Sequence, residues 1–315
     1  MKILNHKIGL GESVQVKMDF ARLNTRDTIE VPIIVERGKK DGPCLLLIGG
    51  VHGDETNGVE IVRQIVAKGL NKPEIGTIIC IPLLNVFGFI NQTREFPDGR
   101  DLNRVFPGSD KGSLASRFAY HIMKEVIPNI DYCIDFHTGG AQRFNYSQIR
   151  IDEGDEESLK LAKVFNSPYI VYSKSQERTF RKSMVKLGIK VLLFEGGKSL
   201  NLDKIVTKVG IQGAINVMHE LGLRDFSSKI SKINSDSQPI IIKTAKWIRA
   251  KHSGMYRSDV SAGQKVAKGI KLGSISDPFG NFEKDFKNNQ EGYILNSNHA
   301  PLVNQGDALF HIGFE

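Results

Sequence analysis

The chain has 315 residues, of which 40% are hydrophobic and 25% charged, and its formal net charge is +8. This length allows one large or two ordinary domains, and the composition is that of a globular protein rather than a disordered or fibrous one. No apolar run approaches the about 18 residues of a membrane-spanning helix, and the N-terminus lacks the apolar segment of a signal peptide. We therefore predict a cytoplasmic protein without a membrane partner.

The cysteines and the basic residues carry no strong functional signal. Cys44, Cys80 and Cys133 lie in apolar stretches, so buried thiols are expected rather than disulfides or a thiolate metal site. The lysines are dispersed, without a dense basic run or a recognised nucleic-acid module. We therefore expect a solvated basic face, no nucleic-acid partner, and some attraction for small anionic substrates.

Short apolar runs alternate with amphipathic stretches over residues 1–226. The apolar runs predict strands at 31–35, 44–48, 77–83, 132–136, 169–172 and 190–194. The amphipathic stretches predict helices at 58–68, 113–126, 156–165 and 209–221. Continuous apolar strands separated by helices are typical of a largely parallel sheet that is covered on both faces. Pro32 cannot donate a backbone hydrogen bond, so we expect its strand at the edge of the sheet.

The pattern of the sequence changes after residue 226. The segment 227–240 is polar and predicts a linker. In 241–315 glycines recur between short alternating runs, which is typical of a small all-β barrel or sandwich. The predicted fold is therefore α/β: a mostly parallel mixed sheet flanked by helices, followed by a small C-terminal all-β, barrel-like domain.

Titratable side chains follow three of the predicted strands, where each strand ends. His52 and Glu55 lie in the turn GGVHGDETNG after the second strand, while His137 follows the fourth strand and Glu195 the sixth. Ligands of open α/β sheets bind outside the carboxyl ends of the strands, so we expect these side chains to converge. Two imidazoles and one carboxylate are a sufficient set of protein ligands for catalytic Zn²⁺. Asp54, in the same turn, is expected to orient His52 or an arginine.

Each of these residues also has a simpler explanation. A His-x-x-Glu pair is often part of a surface turn, a histidine at a strand end is often only hydrogen-bonded, and Glu195 could cap a helix or form an ion pair. Their coincidence at three strand ends favours a metal site, with Glu195 as the carboxylate that acts as general base. Other divalent ions accept the same ligands, so the residues favour Zn²⁺ without fixing it.

The loop 91–108, NQTREFPDGRDLNRVFPG, carries three arginines among turn residues. Arginine binds carboxylates through two parallel hydrogen bonds, and it can also stabilise an oxyanion. At least one of these arginines is expected only to pin the loop by pairing with Asp98 or Asp101. The candidates for substrate recognition in this loop are Arg94, Arg100, Asn103 and Arg104.

Four motifs taken together resemble a known family. HGDE, TREFPDGRDLNRVFPG, DFHTGG and LLFEGG occur in the order and spacing of the succinylglutamate desuccinylase/aspartoacylase family, a branch of the zinc-carboxypeptidase-like hydrolases. The resemblance covers residues 40–200, and the C-terminal segment extends it to most of the chain. It implies a zinc-hydrolase catalytic domain over 1–226, a linker over 227–240, and a biotinyl/lipoyl-like barrel over 241–315 that caps the active site.

The resemblance implies roles for the residues at the strand ends. His52, Glu55 and His137 would bind one zinc ion per chain. Glu195 would be the general base, which takes a proton from the attacking water and returns it to the departing amine.

In the arginine-rich loop, Asn103 and Arg104 match the family pair that holds the carboxylate of the substrate. Arg94 matches the arginine that stabilises the oxyanion, with Arg100 as the alternative.

After His137 the sequence departs from true aspartoacylases and resembles a broad bacterial branch of predicted deacylases, whose substrates vary. Arg143, Asn145 and Arg150 lie in this part of the chain. They either line the substrate pocket or only support the loop.

We therefore expect a zinc-dependent amidohydrolase that removes the acyl group from a small anionic N-acyl amino acid or related carboxylate-bearing substrate. A zinc carboxypeptidase acting on peptides would use the same residues in a more open cleft, and a capping C-terminal domain argues against it. A non-catalytic metal- or ligand-binding protein on the same fold is a further alternative, against which Glu195 argues. The sequence leaves the oligomeric state open, a homo-oligomer included.

Overall fold

The structure, a computed structural model, describes residues 1–22, 28–230 and 238–315. The helices are α1 (Thr56–Ala67), α2 (Val86–Asn91), α3 (Leu114–Glu125), α4 (Glu156–Phe165), α5 (Phe180–Lys186) and α6 (Lys204–Glu220), with 3-10 turns at Leu102–Arg104 and Ile127–Asn129. None of the helices in these described ranges has both the length and the apolar character that crossing a bilayer requires.

The strands fall into an N-terminal and a C-terminal set. The first set is β1 (Lys2–Ile3), β2 (His6–Lys7), β3 (Ser13–Arg22), β4 (Thr28–Arg37), β5 (Lys40–Gly49), β6 (Ile75–Ile81), β7 (Tyr132–Gly139), β8 (Arg143–Ile151), β9 (Tyr169–Tyr172) and β10 (Lys190–Lys198). The second set is β11 (Ile240–Ile242), β12 (Thr244–Arg249), β13 (Gly254–Ser258), β14 (Lys265–Val266), β15 (Lys271–Ser276), β16 (Glu283–Lys287), β17 (Gly292–Asn298), β18 (Leu302–Val303) and β19 (Ala308–Phe314).

The main sheet contains 13 strands, and its longest path runs β12-β19-β17-β8-β10-β7-β5-β6-β4-β3. The central strands β10, β7, β5 and β6 are parallel to one another. The strands on both sides of this centre are antiparallel to their neighbours along the path. The α/β fold class, with a large mixed sheet flanked by helices and a strand-rich C-terminal segment, is therefore confirmed.

The central strands are continuously apolar because both faces of the sheet are covered. Along β5, Leu45 and Leu47 belong to the core under α1, α4 and α6. Leu46 and Ile48 point the other way, into the core under α3 and α5. All four side chains are fully buried. This double layer fixes the strand order that brings the functional residues together.

The predicted elements of residues 28–230 are present, and the helix 156–165 and the strand 169–172 agree residue for residue. The sequence reasoning missed β3, β8, α2 and α5. The two helices have 6 and 7 residues, which is too short for a helical period to show. Their caps were the available signal: Asn85 accepts from the amide of Gly88, and Thr179 accepts from that of Lys182.

The prediction that the strand with Pro32 lies at the sheet edge is wrong. β4 pairs with β3 on one side and with β6 on the other. The pairing with β6 runs only from Ile34 to Arg37, so Pro32 lies in the part of β4 that is paired on one side. A strand segment that is paired on one side tolerates the missing amide hydrogen better than one that is paired on both.

The C-terminal strands have a core of their own and are also joined to the main sheet. Strands β16, β15, β13 and β18 form a separate four-stranded sheet. β17 is antiparallel to β8 in the main sheet, and β11 is parallel to β9. Of the predicted linker, residues 231–237 lie outside the described residues. The local core contains Leu272, Ile275, Ile294, Phe310 and Ile312.

Candidate active site

Three neighbouring strands bring the predicted catalytic residues to one end of the sheet. His52 and Glu55 lie in the turn between β5 and α1, His137 lies near the end of β7, and Glu195 near the end of β10. The three strands are adjacent and parallel, and His137 is directly opposite Glu195 in the register. The side chains that the sequence placed at three strand ends therefore share one edge of the sheet.

The turn that carries His52 and Glu55 depends on glycines. A Cβ atom at Gly53 would lie 2.0 Å from the carbonyl carbon of Gly88, and one at Gly58 would lie 2.4 Å from the carbonyl oxygen of Phe136. Both contacts are with backbone, which cannot move aside as a flexible side chain would. The two glycines thus allow the turn to pack directly against α2 and β7, which holds the imidazole and carboxylate close to the sheet.

His52, Glu55 and His137 form a buried cluster. Their ligand atoms all lie within 4.8 Å of one another. Nδ1 of His52 is 2.7 Å from Oε1 of Glu55, and Nδ1 of His137 is 2.8 Å from Oε2. The backbone amide of Thr138 also donates to Oε2, at 3.1 Å. Two ring nitrogens and a carboxylate therefore converge on one point, as a metal site requires.

The outer nitrogens of both rings are held by acids for which the sequence had not predicted this role. Nε2 of His52 is 3.1 Å from Oδ1 of Asp101, and Nε2 of His137 is 2.9 Å from Oδ2 of Asp135. A proton shared with these carboxylates on Nε2 leaves each Nδ1 as a lone-pair donor. A signal existed for Asp135, because residues two apart in a strand lie on the same face. The donors present thus fit a divalent cation.

Burial and charge act in opposite directions in this cluster. Burial alone would raise the pKa of Glu55, but the positive charges of His52 and His137 and their hydrogen bonds hold its pKa well below the usual value. Burial alone would lower the pKa of His137, yet Asp135 and Glu55 raise it well above the usual value. The cluster is therefore suited to hold positive charge, which protons or a metal cation can supply.

Of the two partners expected for Asp54, His52 or an arginine, the ring nitrogens of His52 are already engaged by Glu55 and Asp101. Oδ1 of Asp54 is buried without a hydrogen-bond partner among the described residues, and burial raises the pKa of this carboxyl. Asp101 occupies the orienting position instead, because it reaches the ring of His52 from the arginine-rich loop.

Arg94 and Arg100, the two candidates for stabilising the oxyanion, have different surroundings in the structure. The guanidinium of Arg94 donates to Oε1 of Glu55 at 3.1 Å and to Oδ2 of Asp101 at 2.9 and 3.0 Å. Arg100 is exposed, pairs with Asp98 at 3.2 Å, and is not among the described residues that line the cavity. Only Arg94 therefore lies beside the histidine–glutamate cluster.

Asn103 and Arg104 lie at the rim of the cavity. Oδ1 of Asn103 accepts from the amide of Phe180 at 2.8 Å, which ties the arginine-rich loop to the start of α5. This bond leaves the NH₂ group of Asn103 as a donor. Arg104 is exposed, and its Nη1 donates to the carbonyl of Asn103 at 2.8 Å.

Glu195 lies beside residues of β8. Oε2 of Glu195 accepts from Nδ2 of Asn145 at 2.7 Å, and Oε1 is 3.7 Å from Nη1 of Arg150. Arg143 also lines the cavity, and its Nε donates to the carbonyl of Gly140 at 3.1 Å. All three residues for which two roles were left open, Arg143, Asn145 and Arg150, line the cavity. Asn145 also contacts Glu195 directly, and Arg143 also braces its own turn.

Arg150 and Arg181 also line the cavity. Arg181 was not predicted from the sequence. Arg181 on α5 is only 6% exposed, and its pKa is lowered by burial and by the charge of Arg150. Nη1 of Arg181 and Nε of Arg150 are buried and have no hydrogen-bond partner among the described residues. The ion pair of Arg181 with Asp152 is long, at 4.0 Å. Two positive charges therefore border the cavity with few partners, which suits an anion.

The cavity has a volume of about 760 Å³ and includes side chains from the C-terminal strands. Trp247 on β12 and Asn296 on β17 belong to its lining. The ring of Trp247 stacks on that of His311, with centroids 4.5 Å apart. Burial lowers the pKa of His311 to about 3, so this ring is neutral and the stack adds no charge to the cavity. The C-terminal segment thus forms part of the wall of the site.

Comparisons with known proteins show similarity over most of the chain. The family model described as "Succinylglutamate desuccinylase/Aspartoacylase catalytic domain" matches residues 41–221 of the chain. The chain is also similar to the N-alpha-acetyl-L-2,4-diaminobutyric acid deacetylase of Halomonas elongata, with 26% identity over 298 residues that cover 89% of this chain and 84% of that protein.

Solved structures share the fold over nearly the whole chain. A succinylglutamate desuccinylase/aspartoacylase from Rhodobacter sphaeroides has a TM-score of 0.84 at 23% identity and covers 96% of this chain and 95% of its own. The ectoine utilization protein EutE (DoeB) from Ruegeria pomeroyi, in a product-bound form, has a TM-score of 0.82 at 21% identity with the same coverage. Since the catalytic-domain match also spans more than half of the sequence, the chain belongs to the succinylglutamate desuccinylase/aspartoacylase family.

Proposed function

We propose that the protein is a zinc-dependent deacylase that hydrolyses the amide bond of a small N-acyl amino acid. One observation carries this proposal. The buried His52–Glu55–His137 cluster and the carboxylate of Glu195 border the same cavity, on strands that are directly paired. A ligand set with a separate carboxylate beside it is the arrangement that metal-assisted hydrolysis requires.

The two histidines and Glu55 would hold the ion, oriented from outside by Asp101 and Asp135. A bound divalent ion would supply Lewis acidity, which activates water and polarises a carbonyl. A single ion per chain is expected, because the three ligands form one cluster in the described residues.

The remaining steps depend on this chain's own side chains. Glu195 takes a proton from the attacking water and gives it to the departing amine, so that the amine leaves as a neutral group. Arg94 lies beside Glu55 and donates hydrogen bonds to the oxyanion that develops on the scissile carbonyl.

The positive rim and floor of the cavity would bind the carboxylate of the substrate. Asn103 and Arg104 are the residues that the family resemblance assigns to this task. Arg150 and Arg181 are further candidates, because each has a buried nitrogen without a hydrogen-bond partner among the described residues. A free carboxylate of the substrate would accept hydrogen bonds from these two nitrogens and would offset the two positive charges.

The acyl group is proposed to be acetyl. The relative from Halomonas elongata is named as a deacetylase of an N-alpha-acetyl diamino acid, and the similarity to it extends over 89% of this chain. The aromatic ring of Trp247 offers an apolar wall for the aliphatic part of such a substrate.

The proposal is tested by metal analysis of the purified protein, followed by a screen of N-acetyl, N-succinyl and other N-acyl amino acids. We expect bound zinc, release of free amine from N-acetyl amino acids, loss of this activity with chelator, and recovery with added Zn²⁺. Trimming of C-terminal residues from peptides instead would favour the carboxypeptidase. No bound metal, with no hydrolysis after Zn²⁺ is added, would contradict the proposal.

Replacement of Arg181 by Met tests the carboxylate contact. We expect KM to rise about 10- to 100-fold with little change in kcat, because one charge-assisted hydrogen-bonding partner of about 1.5–3 kcal/mol is lost from binding. Methionine keeps most of the volume, and initial-rate kinetics on the best substrate provides the measurement. Arg178→Met, an exposed neighbour outside the cavity lining, is the matched control. An unchanged KM in Arg181→Met would exclude this contact.

A further inference from the structure

We infer that Asn145 and Asn296 are positioning residues for Glu195, an inference that rests on the proposed function. The side chains of Asn296, Asn145 and Glu195 form a chain of hydrogen bonds from the C-terminal strands to the general base. Nothing in the sequence pattern links Asn296 to the site, because it lies far from the other motifs along the chain.

The geometry of this chain is close and buried. Nδ2 of Asn296 donates to Oδ1 of Asn145 at 2.7 Å. Nδ2 of Asn145 in turn donates to Oε2 of Glu195 at 2.7 Å. The two asparagines are 2% and 3% exposed, so water does not compete for these bonds.

The direction of the chain follows from the charge at its end. An ionised carboxylate only accepts hydrogen bonds, so Asn145 must present its NH₂ group to Glu195. Its carbonyl oxygen then needs a donor, and the NH₂ group of Asn296 is that donor. A flipped amide at Asn145 would place its oxygen against Oε2 of Glu195 and its NH₂ group against the NH₂ group of Asn296. The two bonds therefore present a donor to Glu195, as a carboxylate that accepts a proton from water requires.

The strand pairing brings the two asparagines opposite each other and close to Glu195. Asn296 is opposite Asn145 in the β17–β8 register, and Asn145 is opposite Gly197 on β10. The register shifts between Glu195 and Gly197, and it also shifts between Ile294 and Asn296 where β17 pairs with β19. Irregularities of this kind re-aim side chains beside functional sites.

The two carboxylate oxygens of Glu195 therefore differ: Oε2 is fixed by a hydrogen bond, and Oε1 is available for proton transfer. Oε2 is engaged by Asn145, whereas the nearest cation to Oε1 is Nη1 of Arg150 at 3.7 Å, beyond hydrogen-bond distance. Asn296 contacts Glu195 only through Asn145. The role of both asparagines is to fix the rotamer of the base, and neither needs to touch the substrate.

Steady-state kinetics of Asn296→Ala, Asn145→Ala and the double variant test this inference. We expect kcat to fall about 10- to 100-fold in each single variant, the loss typical of an orienting partner, with KM within about twofold. Because Asn296 acts only through Asn145, we expect the double variant to be no slower than Asn145→Ala. Multiplying losses, or a changed KM with kcat intact, would overturn the inference.

Asn298→Ala is the matched control for the loss of an asparagine amide on the same strand, although Asn298 is only half-buried. Asn298 lies two residues beyond Asn296 on β17, and its Nδ2 donates to the carbonyl of Ala308 at 3.0 Å. We expect its kcat to stay at the wild-type value even if its melting temperature falls. A loss of kcat in Asn298→Ala equal to that in Asn296→Ala would mean that general destabilisation explains both, and would overturn the inference.

Crystal structures of the wild type and of Asn296→Ala separate this inference from the proposed function, since they need no turnover. We expect the Asn145 amide and the Glu195 carboxylate to change orientation in the variant. An active wild type with Glu195 unmoved and kcat unchanged in Asn296→Ala overturns the inference alone. An inactive wild type overturns the proposed function, while movement of Glu195 would still support the positioning of this carboxylate.

Discussion

Glu195→Gln is expected to reduce hydrolysis by about 10²- to 10⁴-fold, the usual contribution of a general acid–base residue. Glutamine has the same shape, and its side-chain oxygen can still accept the hydrogen bond that Asn145 donates. The variant therefore removes the proton acceptor while the surroundings stay in place. Initial rates of amine release from the best N-acyl amino acid measure the effect, with metal content determined on the same sample.

The metal content of Glu195→Gln separates loss of the base from loss of the site. Glu195 lies outside the histidine–glutamate cluster, so bound metal should equal that of the wild type. If the variant hydrolyses substrate at the wild-type rate, Glu195 is not the base and the proposed mechanism is wrong. If activity and metal are lost together, Glu195 belongs to the metal site instead.

Glu55→Gln is expected to abolish both metal binding and hydrolysis. Both oxygens of Glu55 are engaged in the cluster, one toward each histidine. The neutral amide removes the negative charge that balances a divalent cation, and it turns one ligand oxygen into a donor that faces an imidazole. Elemental analysis after purification should give the metal content of chelator-treated wild type, and added Zn²⁺ should not restore activity.

Glu60→Gln is the matched control for this prediction. Glu60 lies on α1, just after the turn, and its carboxylate pairs with Arg63 at 2.6 Å. It is not among the described residues that line the cavity. Full metal content and activity are expected for Glu60→Gln. A Glu55→Gln protein that kept its metal would show that Glu55 is not a ligand.

The sequence was sufficient to predict at which end of the sheet the site lies, because parallel strands all end at the same edge. Once β5, β7 and β10 are recognised as apolar strands joined by helices, their carboxyl ends must lie along one edge. His52, Glu55, His137 and Glu195 each lie within a few residues of such an end. The separate positions of Arg94 and Arg100 were not predictable, since both lie in one loop and only the paths of their side chains distinguish them.

The partners of the proposed catalytic residues come from contacts that follow no periodic pattern in the sequence. Arg181 lies on a short helix, and Asn296 lies on a strand that reaches the site only because β17 pairs with β8. The polar sequence of β8, RFNYSQIRI, did not read as a strand because several of its side chains face the cavity rather than an apolar core. A strand that serves a site thus loses the apolar alternation by which strands are recognised.

Because β17 pairs with β8, we expect β17 to tolerate insertions and deletions less well than residues 277–282. Side chains alternate between faces along a strand, so one residue inserted between Gly292 and Asn296 would turn Asn296 away from Asn145. The same insertion in 277–282, which joins β15 to β16 outside the main sheet, would leave that register intact. Natural relatives with an active site of this kind should therefore vary in length at 277–282 and keep the length of β17 constant.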